Sequence, residues 1–476
     1  MGKMIDFKNE FLPAKLDSAK EITALENRDV LAYTKKGNIR FSESRFAEYF
    51  TKILPCYWVN DSFFVYSQQK GVYEQRNQLA LFRILAAYYD VVMPDLNHEV
   101  NFFDVWNKMK IFAPVKEDYT PNVQYIAFNN YTVDIINRKV KSHSAKHWAT
   151  NYIPHDYIKN ATCEIFDEAL ETIFNGDDEL ISVFWEMAGY MLYYGEDYPL
   201  QKIFIFLGAG SNGKSLVMDT LRYMLGKDNY ASARLDEISS DFGASHFYGK
   251  MVNISPETEL TAPANTALLK SITGGDSVST TFKHKNSFSA QHFTKFVIST
   301  NQLFPMTDTS PGMFRRLQIL PFNQTFVEPP LDESKRVEGI LYSDKTLLSK
   351  IKPEISGIIN KALDGLFRLM EQDWTLTHSS TCQTSLTTVV KAFNPFKAFI
   401  EDKIKISPKT KTFRKELIDA FYEYQEVVQL GQTYRKYTRE EVGKNILQEL
   451  QRMYPNAKVT CYKSSGDYVF DNVRLV

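Results

Sequence analysis

Gly208-Ala-Gly-Ser-Asn-Gly-Lys-Ser215 has the spacing G-x-x-x-x-G-K-[ST], and those residue types suit the binding of a triphosphate. Glycines let the backbone turn tightly with its amides facing inward. Those amides, with the positive end of a following helix, attract phosphate oxygens. Gly208, Gly210, Asn212 and Gly213 shape the cradle, Lys214 sets a point charge on the β- and γ-oxygens, and the Ser215 hydroxyl is suited to Mg²⁺. ATP and Mg²⁺ are the cofactors this implies. The apolar run Lys202–Leu207 precedes the loop, and a helical stretch Ser215–Leu225, closed by Gly226, follows it. Strand, glycine loop and helix in that order separate the motif from an incidental glycine turn. The loop alone does not separate a kinase, a GTPase and a motor.

Further residues downstream could complete such a site. Met251-Val-Asn-Ile-Ser-Pro-Glu-Thr-Glu259 is an apolar strand ending in two carboxylates. One, taken here as Glu257, could join Ser215 on the Mg²⁺, and either Glu257 or Glu259 could polarise an attacking water. Phe296-Val-Ile-Ser-Thr-Asn301 is a second apolar run, ending in an amide that could orient that water. Arg315-Arg316 precedes the run Leu317–Phe322; as residue types, the pair serves equally as solvated cations or as a finger on a neighbour's γ-phosphate. Ser277–Phe293 alternates as two strands do, with Lys283, His284 and Lys285 near the turn. A cationic hairpin tip suits DNA phosphates, and an ordinary exposed loop explains it equally well.

Composition sets outer limits. The chain has 476 residues, 44% hydrophobic and 24% charged, which fits several packed units in a globular protein. Its net charge of −1 excludes a surface coated in cations, so any DNA contact is concentrated in a channel or patch. No apolar run approaches the roughly 18–20 residues of a membrane span, and no secretory or myristoylation signal is evident at the N-terminus. Cys56, Cys163, Cys382 and Cys461 lie far apart without zinc spacing. Scattered thiols fit a reducing, cytoplasmic setting.

The elements that must position the site follow from periodicity. Residues 201–325 alternate short apolar runs with helical or looped stretches, the rhythm of an α/β unit with a mostly parallel sheet. Residues 1–155 read as an α+β unit, with a hairpin over 63–73 and a helix over 78–89. Residues 156–200 read as two helices divided at Asn175-Gly176. Residues 346–372 are amphipathic, whereas 375–388, with nine Ser/Thr in fourteen residues, reads as an irregular connector. Residues 396–476 form a further module. A helix over 413–429 is followed by the capping-box pattern Thr438-Arg-Glu-Glu441, which opens a helix ended at Pro455, and then by a hairpin around Ser464–Asp467. That order suggests a winged helix, with Arg439, Lys444 and Arg452 on the second helix and Lys463 by the turn as its DNA contacts.

Taken together, Gly208–Ser215, Ser255–Glu259, Leu269–Asp276, Phe296–Asn301 and Phe314–Phe322 resemble the superfamily 3 AAA+ helicases, and more narrowly the helicase part of phage and plasmid primase–helicases. The layout is similar to that of replication initiator helicases of staphylococcal pathogenicity islands. The resemblance implies an AAA+ core preceded by an N-terminal region and a helical collar. It also implies a hexameric ring moving 3′ to 5′ on single-stranded DNA to open duplex. In that scheme Lys214 and Ser215 bind ATP·Mg²⁺, Glu257 and Glu259 form the acidic pair and Asn301 is the sensor. Arg315 or Arg316 is the finger given in trans, and Lys283, His284 and Lys285 sit on the pore hairpin. A specific origin and a partner primase or polymerase are further expectations. Pro256 stands where the family often has Ser, and Asn129-Asn130 where it has Asn-Gly. The alternative is an initiator or loader that binds origin DNA and uses ATP as an assembly switch without unwinding.

Overall fold

Five apolar runs line up as parallel strands because each is short, β-branched or aromatic, and covered on both faces, the condition under which parallel sheets form. In the computed structural model they are β1 (Ile203–Leu207), β2 (Tyr230–Ala231), β3 (Val252–Ser255), β4 (Lys295–Thr300) and β5 (Leu317–Pro321), in the spatial order β2-β3-β4-β1-β5. The register sets Ile203 beside Phe296 and Leu317, and Leu207 beside Thr300 and Pro321. The structure describes residues 10–12, 18–33, 39–59, 62–93, 100–116, 121–195, 199–238, 240, 242–256, 266–283, 287–301, 308, 310–330, 336–428, 437–464 and 466–476. Among them no helix is long and apolar enough to cross a membrane.

One face of the sheet carries Phe204, Phe206, Val252, Ile254 and Val297 into a large core shared with four helices. These are α1 (Glu164–Ile173), α2 (Asp178–Leu192), α3 (Lys214–Leu225) and α4 (Ile355–Glu371). Helices α2 and α4 meet backbone to backbone. A Cβ at Gly365 would stand 2.1 Å from the Trp185 carbonyl oxygen, and one at Gly189 would stand 2.2 Å from that of Ala362. The fully buried Glu186 on α2 clasps the same pair, accepting from Arg368 Nε at 2.8 Å and from the Thr377 amide at 2.8 Å.

The expected connector at 375–388 is instead largely a helix, α5 (Ser380–Phe393). Ser379 caps it by accepting from the Cys382 amide, and Thr387 and Thr388 donate to carbonyls one turn back at 2.9 and 3.0 Å. The hydroxyls that suggested a loop are thus satisfied within the helix. Val389 is buried with β-sheet residues Ile319 and Leu317, and that burial overrides the weak propensity.

The other modules follow their patterns. The N-terminal hairpin pairs Ser62–Ser67 with Val72–Arg76, and the helix predicted at 78–89 runs Gln78–Val92. The C-terminal module contains α6 (Pro395–Lys403), β6 (Ile404–Phe413), α7 (Arg414–Val428), α8 (Arg439–Met453), β7 (Cys461–Ser464) and β8 (Asp467–Leu475). Thr438 and Glu441 form both halves of the predicted capping box. Strand β6, not anticipated, pairs with β8 and makes a three-stranded sheet in the order β6-β8-β7.

Because the α2–α4 contact leaves no room for a side chain, Gly365→Ala is expected to cost roughly 1–3 kcal/mol. It should lower the thermal unfolding temperature; an unchanged transition would show that the helices do not touch there.

Candidate functional site

The glycine-rich loop Gly208–Ser215 leaves β1 at the carboxyl edge of the sheet, where parallel α/β sheets place their ligands. Gly210 and Gly213 have φ of +101° and +88°, a backbone region that favours glycine. Ser211 joins them at φ +47°. Gly208 is needed for closeness, since a Cβ there would lie 2.5 Å from the Phe322 carbonyl oxygen. At Gly213 a Cβ would meet Ile173 Cδ1 at 2.7 Å, so the end of α1 seats directly on the loop.

Lys214 opens α3 and is 3% exposed. Its Nζ donates to the Gly208 carbonyl, to Asn212 Oδ1 at 3.2 Å and to Asn301 Oδ1 at 2.9 Å. Asn212 in turn donates to the Phe322 carbonyl at 3.2 Å. Two segments, the loop and the end of β4 some 87 residues away, therefore converge on one ammonium group. Asn301 comes from the end of β4, the immediate neighbour of β1. Ser215 is exposed at the mouth. Strand β3 brings Ser255 and Pro256 toward the same edge, while Glu257 and Glu259 lie outside the described residues.

Beside the loop opens a cavity of 910 Å³. One wall comes from Ile165, Ala169 and Ile173 of α1, the other from Phe326, Tyr342 and Leu347. Phe326 is held to the loop by its amide, which donates to the Ser211 carbonyl at 2.7 Å. At the rim, hydrogen bonds from Lys350 and Thr346 pull the Asp344 carboxyl down to about 2. An apolar slot with an amide-rich end can hold a flat ring and a chain of phosphates. These wall residues escaped the sequence reading, because they come from segments more than 150 residues apart and carry no local spacing signal.

The arginine pair lies elsewhere. The Arg316 carbonyl accepts from the Ile203 amide at 2.7 Å, so Arg315 and Arg316 sit at the amino edge of the sheet. The five residues of β5 separate Arg316 from the level of the loop, about 20 Å at the usual rise. Arg316 is half-buried and donates to the Gly312 carbonyl at 2.7 Å, whereas Arg315 is exposed. Strands Ser277–Thr280 and Phe288–Gln291 pair as the expected hairpin. Its loop end is aromatic, with Tyr248 edge-on to Phe282 and Phe288. Lys283 lies in its loop, and His284 and Lys285 fall outside the described residues. In the C-terminal module Arg439 pairs with Asp419 at 2.7 Å and Arg452 with Glu449; Lys444 and Lys463 are exposed.

Residues 206–316, spanning the loop, β3, β4 and the arginine pair, match a family model described as a family of unknown function, DUF5906. Residues 110–175 match a model described as D5 N terminal like. A protein of Acanthamoeba polyphaga mimivirus, L207/L206, named as a candidate helicase, is 27% identical over 164 residues. That match covers 32% of this chain and 17% of the mimivirus protein, so the chain spans under a fifth of that relative. Among solved structures, the apo A form of the NrS-1 C-terminal region is similar at 13% identity and a TM-score of 0.48, covering 89% of this chain and 96% of that one. A second apo structure of that region, 305–718, gives 13% identity and 0.47, covering 91% and 100%.

Inorganic tripolyphosphate should raise the unfolding temperature of the native chain, because a ligand of the folded state alone stabilises it. The Lys214→Ala variant should show no such rise; equal shifts in both would place the polyphosphate elsewhere.

Proposed function

We propose that this chain is an ATP-hydrolysing DNA helicase of replication, of the viral and phage primase–helicase kind, with the AAA+ core of superfamily 3. The carrying observation is the junction at Lys214, whose ammonium, at the start of α3, is held by the Gly208 carbonyl, Asn212 and Asn301 from the end of the neighbouring strand, beside the position a γ-phosphate would take. The likeness to a mimivirus protein named as a helicase and to the D5 N terminal like model supports the replication setting. In this reading the triphosphate would lie along Gly208–Ser215, Ser215 and Glu257 would hold Mg²⁺, and Glu257 or Glu259 would activate water. The flat base enters the slot between α1 and Phe326.

Asn301 then senses the γ-phosphate through its bond to Lys214. Arg315 and Arg316 stand too far along β5 to reach the loop of their own chain, which favours supply by a neighbour in a ring, a hexamer by resemblance. Arg315, exposed where Arg316 is tied to Gly312, is the better finger. The hairpin with Lys283, His284 and Lys285 would follow one DNA strand through phosphate contacts, moving 3′ to 5′ without reading sequence. The C-terminal module, with its helices and β6-β8-β7 sheet, would be a winged helix that adds DNA contacts, including a replication origin.

The shared site makes a distinctive prediction. Lys214→Ala and Arg315→Ala should each abolish ATP hydrolysis alone, and mixing the two variants should restore part of it, since some interfaces then combine an intact loop with an intact arginine. No recovery on mixing, with both variants folded and assembled, would sink the trans arrangement. Normal turnover in Lys214→Ala would sink the ATPase itself.

A further inference from the structure

The C-terminal module separates its charges by face. From Ile404 to Lys415 the chain carries five cations and no carboxylate. Helix α8, in contrast, holds three cations, Arg439, Lys444 and Arg452, against three carboxylates, Glu440, Glu441 and Glu449. Two of those three cations are already in ion pairs within the module. Over the whole sheet, Lys405, Lys409, Lys411, Lys463 and Arg474 stand against Asp467 and Asp471, the latter opposite Lys411, so a polyanion approaching the module meets net positive charge at the sheet, not at the helix.

The outer face of the sheet has a definite pattern. Lys405 on β6 stands directly opposite Arg474 on β8, both exposed. Like charges opposed across a ladder repel, and among the described residues neither forms an ion pair. Farther along, Phe413, Val469 and Tyr462 form one row across the three strands. Val469 is buried beneath, while Phe413 and Tyr462 are 48% and 37% exposed. Lys411 Nζ lies 5.4 Å over the Tyr462 ring. The inner face, with Thr412 and Phe470, is closed into the module's core. The strip from Arg474 to Val469 is about 17 Å long at the usual strand rise.

We infer that this sheet face is a binding platform for single-stranded nucleic acid, with bases stacking on Tyr462 and Phe413 and the backbone running past Lys411 toward the Lys405–Arg474 pair. Cations that track a backbone, interleaved with exposed rings, are what a sequence-tolerant single-strand site requires. A phosphate between Lys405 and Arg474 relieves their repulsion. The site needs neither ATP nor a ring, so it stands or falls apart from the motor reading, and it moves the module's DNA contact from α8 to the sheet.

The test uses the full chain without nucleotide, with Lys283→Ala and Lys285→Ala as background to silence the hairpin, and labelled oligo(dT) followed by fluorescence anisotropy. Oligo(dT) should still bind in that background. Tyr462→Ala should then weaken binding roughly tenfold. Lys405→Ala with Arg474→Ala should flatten the log-affinity against log-salt slope by about 1.4, two contacts at ~0.7 each, while Lys444→Ala leaves binding unchanged. Circular dichroism confirms that each variant is folded. Unchanged affinity and slope in the Lys405/Arg474 variant would overturn the platform, as would equal affinity for a blunt duplex, or a larger loss from Lys444→Ala than from Tyr462→Ala.

Discussion

A buried ammonium group at the carboxyl edge of a parallel sheet is the constraint around which the central unit is built. Lys214 reaches its position because Gly213 turns the chain into α3 with a positive φ, and because Gly208 lets the loop close against the Phe322 carbonyl. Its three acceptors come from the loop itself and from the end of β4. An ammonium removed from water needs such oxygens held in place. That in turn requires β4 to lie next to β1 and β5 to lie on its other side, which is the observed order. Strand order, loop shape and the lysine's partners are thus one arrangement seen at three scales.

Much of the surrounding chain holds that edge rigid. Helix α1 seats Ile173 against Gly213 and walls the adjoining slot. Helix α2, locked to α4 by facing glycines and by Glu186, fixes α1 and the underside of the sheet in one core. Helix α5 covers the opposite face near β5. The arginine pair lies at the other edge of the same sheet, so the glycine loop and the exposed Arg315 stand about a strand's length apart. In the motor proposed above, that separation suits a finger given by a neighbouring copy.

The C-terminal module shows a second use of geometry. Helix α8 spends Arg439 and Arg452 on internal pairs, and the sheet leaves Lys405 and Arg474 exposed side by side. A chain with a net charge of −1 can still meet a polyanion in this way, by concentrating cations on one face.

Sequence alone determined the features encoded over a few neighbouring residues. The loop motif, the strand runs at 203–207 and 296–300, the capping box at Thr438–Glu441 and the hairpin at 277–291 all rest on spacing and turn chemistry, which act locally and are readable from one segment. Tertiary structure decided what depends on distant partners. It made a helix of the Ser/Thr-rich stretch near Val389, paired β6 with β8, and brought Ile165 and Phe326 to the same slot. It also determined that Arg316 is tied down and Arg315 exposed, and that, among the described residues, Arg439 and Arg452 of α8 are spent in ion pairs while Lys405 and Arg474 of the sheet are not. Burial and ion pairing between segments far apart in the chain set those outcomes, and neither leaves a trace in local periodicity.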